Sequence, residues 1–342
     1  MPTVDASSAD EAWLLAVELF RKEPGRPRQN GRGGRTYELL HVSLQIRNPR
    51  DRWVLSRSHP ISVAFAIVEA IGIINGRNDS GYLNYFNPQL PKFAGMGAKY
   101  HGAYGFRLRE NFGFDQLARA CESLSSNPDG RQIVLQIWDP TKDFPHLSGA
   151  PVASDIPCNL CSMLKIRGGK LEWSQVMRSN DLFRGLPYNF VQFTTLQEVM
   201  AGWLGIEIGS YTHFSDSLHI YEGELKTILD SARVPSDSNA DSLAFPKEVA
   251  DPIWAEMNDR VNRLVSGGLS EHDYFEMATL EGAPKAFSNL MSIVVADAAR
   301  RSSKMAAALR AAEKCSNPTL RLLWQRWLNS RTGKESTANT KT

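Results

Sequence analysis

The chain has 342 residues, of which 42% are hydrophobic and 22% charged, and its formal net charge is +2. This length and composition are typical of a soluble globular protein with one large domain or two modest ones. The small net charge argues against a partner that is a nucleic acid polymer, no apolar run reaches the roughly 18 residues that span a bilayer, and four scattered cysteines do not make a disulfide framework.

The N-terminal region predicts a helix and a strand separated by irregular chain. The opening run MPTVDASSADEAW has no basic flank followed by an apolar core, so we expect a cytoplasmic protein without a signal peptide. Residues 8–22 have apolar residues at helical spacing, whereas residues 23–35 are rich in Gly, Pro and Arg and predict irregular structure. Residues 37–46 alternate between apolar and polar and predict a strand.

The next part of the chain mixes helical and strand patterns. Residues 61–75 predict a buried helix that carries a single acid, Glu69. A second helix is predicted at 114–125, and NPDG at 127–130 is typical of a tight turn. The apolar run at 131–138 predicts a strand that is buried on both faces.

A hairpin, a helix and a helical C-terminal region follow. Residues 162–176 predict two strands joined by Gly168-Gly169, and residues 190–203 predict a helix. Strand patterns vanish after residue 240, and the polar end of the chain predicts disorder. The expected fold class is therefore α+β, with a catalytic domain over residues 1–240, a helical C-terminal extension over 241–330 and a disordered tail over 331–342.

The candidate chemistry begins at a cysteine. Pro157 restricts the backbone directly before Cys158, and Arg178 belongs to the next strand region. A guanidinium near a thiol favours the thiolate, which is the nucleophilic form. A single cysteine is more often a small buried hydrophobic residue. The polar run from Arg178 to Asn189 shifts the interpretation towards catalysis.

Three motifs of this chain resemble the thymidylate synthases and the related pyrimidine-nucleotide hydroxymethylases. That family carries Pro-Cys, then Arg-Ser-x-Asp-x-Phe-x-Gly-Leu-Pro-[Phe/Tyr]-Asn, then His-x-Tyr. This chain carries Pro157-Cys158, the run RSNDLFRGLPYN at 178–189 and the triplet 219–221, His-Ile-Tyr. The resemblance extends from about residue 32 to residue 225. It implies the family's mixed sheet packed with helices.

The resemblance also implies a reaction, its ligands and a homodimer. A one-carbon unit would pass from the cofactor 5,10-methylenetetrahydrofolate to C5 of a pyrimidine mononucleotide, with no nucleic acid polymer, membrane or metal involved. The implied catalytic residues are Cys158, Glu69, Tyr104, Arg178 and Asp181, and the implied substrate-binding residues are Arg32, Arg131, Ser179, Asn189, His219 and Tyr221.

Four of these positions match family residues that act on the base. Cys158 matches the nucleophile that adds to C6 of the pyrimidine, and Glu69 matches a glutamate that organises water and proton transfers. A lone carboxylate inside an apolar helix either faces the surface or is buried at a cost that a functional role would explain, and the second alternative agrees with this role for Glu69. Tyr104 matches a tyrosine beside C5, and Asp181 matches a residue at the edge of folate and base.

Several arginines match the family's phosphate ligands. Arg178 and Ser179 match residues that hold the nucleotide phosphate, for which a guanidinium fork is well suited. Arg131 matches an arginine that reaches the phosphate bound by the neighbouring subunit. Arg32 is the best match for the arginine of the phosphate loop, and Arg35 fits nearly as well.

The choice of nucleoside depends on three matched positions. His219 and Tyr221 match the pair that hydrogen-bonds the sugar 3′-hydroxyl. Asn189 offers one acceptor and two donors, which pair with N3–H and O4 of uracil, whereas the family's cytosine-specific enzymes carry Asp at that position. Asn189 therefore predicts a uracil nucleotide.

The final chemical step stays open between methylation and hydroxymethylation. This chain departs from the family's synthases at Asn159 in place of His, Met177 in place of Gln and Gly72 in place of Trp. Its C-terminal region also differs from the apolar end that closes over folate, and entry of water would favour hydroxymethylation. Tyr85 and Phe86 are candidates for an aromatic wall against folate. The sequence favours methylation of dUMP, with a dUMP, UMP or cytidylate 5-hydroxymethylase as the alternative.

Two other classes of protein are weaker interpretations. An inactive nucleotide-binding homologue would be expected to lack Cys158 or Glu69, and both are present. A metal or dithiol site at Cys158 and Cys161 would need a second CxxC, a pair of histidines or a helix that begins at the motif. The sequence after Cys161 continues as a strand instead.

Overall fold

The computed structural model describes residues 2–22, 28–31 and 33–338. The strands in this part of the chain are β1 (Thr3–Ala6), β2 (Arg28–Gly31), β3 (Gly34–Ile46), β4 (Val134–Gln136), β5 (Asn159–Arg167), β6 (Lys170–Met177), β7 (Asn180–Asp181) and β8 (Glu207–Tyr221). The helices are α1 (Ala9–Lys22), α2 (Val63–Ile74), α3 (Gly81–Phe86), α4 (Pro91–Ala94), α5 (Tyr104–Arg109), α6 (Gln116–Ser126), α7 (Pro140–Asp143), α8 (Leu186–Leu204), α9 (Glu222–Leu229), α10 (Lys247–Ser266), α11 (Glu271–Met277), α12 (Lys285–Arg301), α13 (Met305–Glu313) and α14 (Pro318–Ala338).

The strands form one mixed sheet in the order β1-β3-β8-β6-β5-β4, with β2 added to β3 and β7 added to β8. The β1–β3, β6–β8 and β7–β8 pairs are parallel, and the β2–β3, β3–β8, β4–β5 and β5–β6 pairs are antiparallel. The predicted α+β class is confirmed. The long β3–β8 pair places Glu38 opposite His219, so two polar positions meet at the end of these strands.

The hairpin of β5 and β6 forms as the sequence predicts. Gly168 has φ 56° and Gly169 has φ 73°, the positive values that a two-residue type I′ turn requires. The register then pairs Asn159 with Met177 at the open end of the hairpin. Cys158, which precedes β5, therefore lies beside Arg178, which follows β6, and the Arg178 amide donates to the Cys158 carbonyl at 2.9 Å.

Three of the predicted helices are confirmed with small changes at their ends. Residues 8–22 form α1, residues 61–75 form α2 and residues 114–125 form α6. The Ser62 hydroxyl accepts from the Phe65 amide at the start of α2, and the Asp115 carboxylate caps α6. Side chains of these types are preferred at helix N-termini because they satisfy free backbone amides.

Two predictions about extended chain are corrected by the structure. Residues 23–35 were expected to be irregular, yet Arg28–Gly31 pairs with β3 as strand β2. Backbone pairing with β3 defines this strand. Its sequence lacks the alternation of apolar and polar side chains that would have predicted it. The strand predicted at 131–138 is limited to Val134–Gln136 and forms the sheet edge, so it is not buried on both faces: Val134 is 49% exposed.

Helix α8 lies under the sheet and is buried along most of its length. It begins at Leu186, earlier than the predicted start at residue 190, with Pro187 in the first turn. The Gln197 amide donates to the carbonyls of Leu171 and Ser210, which fastens the helix to β6 and β8. Buried polar side chains need such partners, because water does not reach them.

Glu198 of α8 is fully buried and forms ion pairs with Arg50 and Arg52. Although burial opposes ionisation, the two guanidinium groups lower the pKa of Glu198 below its ordinary value. The same carboxylate accepts from the Leu243 amide at 3.1 Å and from the Ser242 hydroxyl at 3.3 Å. One buried charge therefore connects α8, the chain before α2 and the segment that leads to the C-terminal helices.

The C-terminal helices pack onto α2 through α10, α12 and α14. Asp241 accepts from the side-chain amides of Asn289 (2.9 Å) and Asn317 (2.8 Å), which ties the chain before α10 to α12 and α14. The domain boundary at residue 240 stays a prediction. Helix α14 continues to Ala338, so it extends into the tail, 331–342, that the sequence predicts to be disordered.

None of the helices in the described part of the chain is long and apolar enough to cross a membrane.

Glu198→Gln is expected to destabilise the protein strongly, because it leaves the buried Arg52 guanidinium without a charged partner. Removing one member of a buried ion pair costs roughly 3–5 kcal/mol. Urea unfolding monitored by circular dichroism would measure the change. The matched control is Glu18→Gln, in which an exposed pair with Arg21 is lost and a change below about 1 kcal/mol is expected. Equal effects of the two substitutions would contradict the central role of Glu198.

Candidate active site

A cavity of about 890 Å³ lies between α2, the start of α8, the loop before β5 and the ends of β3 and β8. Its volume is in the range of small-molecule sites. The sequence-predicted site residues that line it are Glu69, Tyr104, Cys158, Arg178, Ser179, Asp181, Asn189, His219 and Tyr221. Arg131 is exposed and does not line the cavity. Arg32 lies outside the described residues, and its neighbours Gly31 and Gly33 line the wall.

The cysteine and its arginine form the floor of the cavity. Arg178 Nε donates to the Pro157 carbonyl at 2.9 Å, and Nη2 donates to the Ile156 carbonyl at 3.2 Å. Nη2 also lies 4.0 Å from Cys158 Sγ. The loop is thus held around the guanidinium, which places a fixed positive charge beside the thiol, where it favours the thiolate.

A chain of amides connects Asn189 to Glu69. Asn189 Nδ2 donates to Gln192 Oε1 at 3.1 Å, and the Gln192 side chain in turn hydrogen-bonds the Glu69 carboxylate. Because Gln192 Oε1 accepts from Asn189, its Nε2 is the donor towards Glu69. This order orients Asn189, whose carbonyl oxygen and second N–H stay available to a ligand. Gln192 was not predicted, although its position three residues after Asn189 on one helix is a signal that sequence reasoning could have used.

Glu69 is the most perturbed acid of the cavity. Burial raises the pKa of Glu69 from 4.5 to about 8, and the hydrogen bond from Gln192 opposes this change only in part. Its Oε2 is buried and has no hydrogen-bond partner among the described residues. A carboxyl group with a pKa near neutral pH can both accept and release a proton during turnover.

Asp181 and His219 lie together on the paired strands β7 and β8. Asp181 Oδ1 accepts from the amides of Phe183 and Arg184, both at 2.8 Å, and so fixes the turn that enters α8. Burial lowers the pKa of His219, while Asp181 and Glu38 act in the opposite direction. The neutral imidazole offers one donor and one acceptor to a ligand.

Three arginines line the cavity that were not among the predicted site residues: Arg57, Arg77 and Arg184. Arg57 is buried, and its guanidinium carbon lies 3.8 Å from the centroid of the Phe183 ring. The guanidinium also donates to the His59 carbonyl at 2.6 Å. Arg184 donates to Glu224 at 2.8 Å and lies 4.6 Å from the Tyr221 ring centroid. Phe183 is far from Arg57 along the chain and Glu224 is far from Arg184, so sequence spacing gave no signal for these two contacts.

The aromatic wall differs from the predicted one. Tyr85 and Phe86 do not line the cavity, because α3 turns them towards α12, where the Tyr85 hydroxyl donates to the Ala298 carbonyl. The cavity is lined instead by Tyr82, Leu83 and Phe93. The prediction of Tyr85 and Phe86 as the wall is therefore wrong.

Asn159, which follows the cysteine, does not line the cavity. It is fully buried, and its Oδ1 accepts from Gln175 Nε2 at 2.5 Å. Gln175 Oε1 in turn accepts from the Ser162 hydroxyl and the Trp173 indole. This residue therefore joins β5 to β6 beneath Cys158.

No group of three or more His, Cys, Asp or Glu side chains in the described ranges is arranged to hold a metal ion.

Comparison with known proteins gives consistent results. A sequence model of the family described as thymidylate synthase matches residues 20–248. The deoxyuridylate hydroxymethyltransferase of Bacillus phage SP01 is 37% identical over 201 residues, which cover 56% of this chain and 51% of that protein. The deoxyuridylate hydroxymethyltransferase of Pseudomonas phage M6 is 30% identical over 231 residues, which cover 66% of this chain and 64% of that protein.

A third similar protein comes from an archaeon. A protein of Methanothermobacter marburgensis, provisionally named thymidylate synthase, is 31% identical over 222 residues, which cover 63% of this chain and 91% of that protein. The chain therefore spans about half to two thirds of the length of the two phage relatives and most of the archaeal one.

Glu69→Gln is expected to remove a pH dependence of stability. Below pH 4.5 the carboxyl group is protonated in both folded and unfolded chains, so its contribution to folding is fully present there. As the pH rises towards 8, only the unfolded chain ionises, and the wild type loses stability relative to the variant by at most about 1.4 kcal/mol per pH unit. The loss ends above the folded pKa.

The measurement is the difference in unfolding free energy between the wild type and Glu69→Gln, from about pH 5 to 9. A difference that stays constant over this range would contradict a protonated, buried Glu69. The amide cannot ionise and keeps the size of the carboxyl group, so the comparison isolates the proton.

Proposed function

Because the chain belongs to the thymidylate synthase family, we propose that it is a C5 one-carbon transferase that converts dUMP to 5-hydroxymethyl-dUMP. The donor would be 5,10-methylenetetrahydrofolate, which this family uses. The observation that carries the proposal is that one cavity contains Cys158, Arg178, Glu69 and Asn189. These side chains supply a nucleophile, a fixed cation, a titratable acid and a base-reading amide.

Cys158 is the proposed nucleophile. Its thiolate would add to C6 of the pyrimidine, which makes C5 nucleophilic in its turn. Arg178, at 4.0 Å from the sulfur, favours the thiolate and keeps further guanidinium surface for the phosphate of the nucleotide. Ser179 lies next to Arg178 in the same wall and is proposed to bind that phosphate as well.

Base and sugar recognition follow from three side chains. With one N–H of Asn189 bonded to Gln192, the remaining N–H and the carbonyl oxygen match O4 and N3–H of uracil. His219 and Tyr221 are proposed to hydrogen-bond the 3′-hydroxyl, since both lie at the end of β8 that faces the cavity.

Glu69 is the proposed acid–base group. Its pKa of about 8 lies near the pH at which such an enzyme operates, which suits a group that exchanges protons with substrate and water. Tyr104, which lines the same cavity, is proposed to lie beside C5. Burial raises the pKa of Tyr104 well above the ordinary value of a tyrosine, so its hydroxyl stays protonated and can donate a hydrogen bond.

The residues present fit a folate donor. Leu83 and the rings of Tyr82 and Phe93 offer apolar surface suited to a flat ring system, and Asp181 supplies a carboxylate to the same cavity. The bound donor would supply the one-carbon unit. Holding it is the proposed task of these side chains.

Hydroxymethylation is favoured over methylation by two observations. Two of the three relatives described above carry the name deoxyuridylate hydroxymethyltransferase, including one that is 37% identical. In addition, the wall next to Glu69 is polar, because Gly72 leaves room for the Tyr82 hydroxyl. The second candidate function is methylation of dUMP. It is favoured by the sequence motifs and supported by the name of the archaeal relative.

A homodimer is proposed to complete the site. Arg131 is exposed before the edge strand β4 and does not line the cavity of its own chain. Side chains such as Val176 and Phe214 alternate with buried ones and leave one face of the sheet partly open, whereas α8 covers the other face. Pairing of two sheets through this face would bring Arg131 towards the phosphate bound by the partner subunit.

The direct test is incubation with methylenetetrahydrofolate and a mixture of dUMP, UMP, dCMP and CMP, followed by mass spectrometry. We expect dUMP to gain the mass of CH₂O, with tetrahydrofolate as the second product. A gain of CH₂ with formation of dihydrofolate would replace the proposal with thymidylate synthesis.

Cys158→Ala is expected to lower turnover by more than about a thousandfold while nucleotide binding is retained.

Asn189→Asp is expected to move preference from dUMP to dCMP by about ten- to a hundredfold, because a mispaired buried polar edge costs roughly 1–3 kcal/mol. The exchange is structurally feasible, since Gln192 can rotate to donate to Asp and accept from the protonated Glu69. The measurement is the ratio of kcat/KM for the two nucleotides. An unchanged ratio would contradict the role of Asn189 in reading the base, and Asn84→Asp, outside the cavity, is the matched control.

A further inference from the structure

The Tyr82 side chain reaches the cavity by passing over Gly72. Gly72 lies about one turn of α2 after Glu69. A Cβ atom at Gly72 would lie 1.9 Å from Tyr82 Oη and 2.7 Å from Cζ of the same ring, so any larger residue would displace the ring. Positions three residues apart are neighbours on one helix face, with Cβ atoms about 5–6 Å apart. The Tyr82 hydroxyl therefore lies where a side chain at position 72 would begin, next to Glu69.

The Tyr82 ring is held in this position by Arg77. The guanidinium carbon lies 3.8 Å from the ring centroid. Arg77 is itself fixed by two hydrogen bonds to Asp79, at 2.8 and 2.7 Å, and by one to Asn258 of α10 at 2.7 Å. The residue is only 4% exposed, and its hydroxyl makes no hydrogen bond to another described residue.

Glu69 presents a second unpaired polar atom at the same wall. Gln192 bonds one carboxylate oxygen, and Oε2 is buried without a partner in the described part of the chain. Buried polar groups of native proteins are normally satisfied by protein or by ordered water. A water molecule between a carboxylate and a hydroxyl has the two or more partners that an ordered water needs.

We propose that the Tyr82 hydroxyl and the Glu69 carboxylate together bind the water molecule that is consumed in hydroxymethylation. The inference rests on the proposed function and assigns to Tyr82 a contact with a reactant. The Arg77 stack and the gap at Gly72 both serve to place this hydroxyl. In a methylating enzyme, a water that reached the methylene carbon would compete with hydride.

The proposed step balances without any oxidant or reductant. The water oxygen forms a bond to the methylene carbon on C5 of the nucleotide. The electron pair of the exocyclic double bond forms the C5=C6 bond, and the C6–S bond breaks with its pair leaving as the Cys158 thiolate. The water proton passes to the ionised Glu69 carboxylate, while Tyr82 donates to or accepts from the same water.

Tyr82→Phe tests the inference, because it deletes one oxygen and keeps the ring against Arg77. We expect formation of 5-hydroxymethyl-dUMP to fall about ten- to a hundredfold in kcat, with KM for dUMP changed less than about twofold. The matched control is Tyr85→Phe, which removes a hydroxyl outside the cavity and should leave kcat within about twofold. Gly72→Ala should displace the Tyr82 hydroxyl and lower kcat in the same way.

A second readout needs no folate. If the water donates to Glu69, it stabilises the carboxylate, so Tyr82→Phe should shift the pH dependence of thermal stability that arises from Glu69 to higher pH. Tyr85→Phe should leave that dependence unchanged. A purely structural Tyr82 would lower the melting temperature at all pH values without this shift.

The outcomes separate the two proposals. If wild-type protein gives the CH₂O product and Tyr82→Phe matches it in kcat, the role of Tyr82 is overturned while the function stands. If wild-type protein gives only the CH₂ product, the proposed function fails first and the water site fails with it. Loss of kcat together with the shift in pH dependence supports the inference.

Discussion

Helix α8 carries polar side chains through the interior, and their need for partners organises the molecule around it. Asn189 and Gln192 at its start bond to each other and to Glu69 in the cavity. Further along, Gln197 bonds to the sheet and Glu198 to two arginines and the segment before α10. Because unpaired polar groups are costly in the interior, each of these bonds constrains a different layer of the fold. The cavity and the segment that leads to the C-terminal helices are thereby both anchored to α8.

Local patterns account for much of the fold. The hairpin turn, α1, α2 and α6 follow from glycine pairs, helical spacing and N-capping residues that lie within the elements themselves. Strand β2 and the position of β4 at the sheet edge depend on which strands become neighbours, and that is decided by long-range packing. Strand patterns describe single segments, so they do not distinguish an edge strand from a central one.

The same division holds within the site. Contiguous motifs led to Cys158, the run from Arg178 to Asn189, and the pair His219 and Tyr221, and each of these motifs contributes side chains to one cavity. Residues whose function depends on contacts between distant segments gave no such signal. Arg57 is placed by stacking on Phe183, and α3 turns Tyr82 rather than Tyr85 into the cavity. A six-residue helix is too short for periodicity to indicate which face is buried.

The close approach of Tyr82 to Gly72 couples the substitutions that the chain tolerates at these two positions. Two positions that share one volume cannot drift independently, since an enlarged residue at 72 would collide with the tyrosine. A bulky residue at 72 therefore requires either a shorter side chain at 82 or a shift of the Tyr82 ring away from α2. Because the two side chains share one space, the effects of substitutions at 72 and 82 on stability are expected to be non-additive.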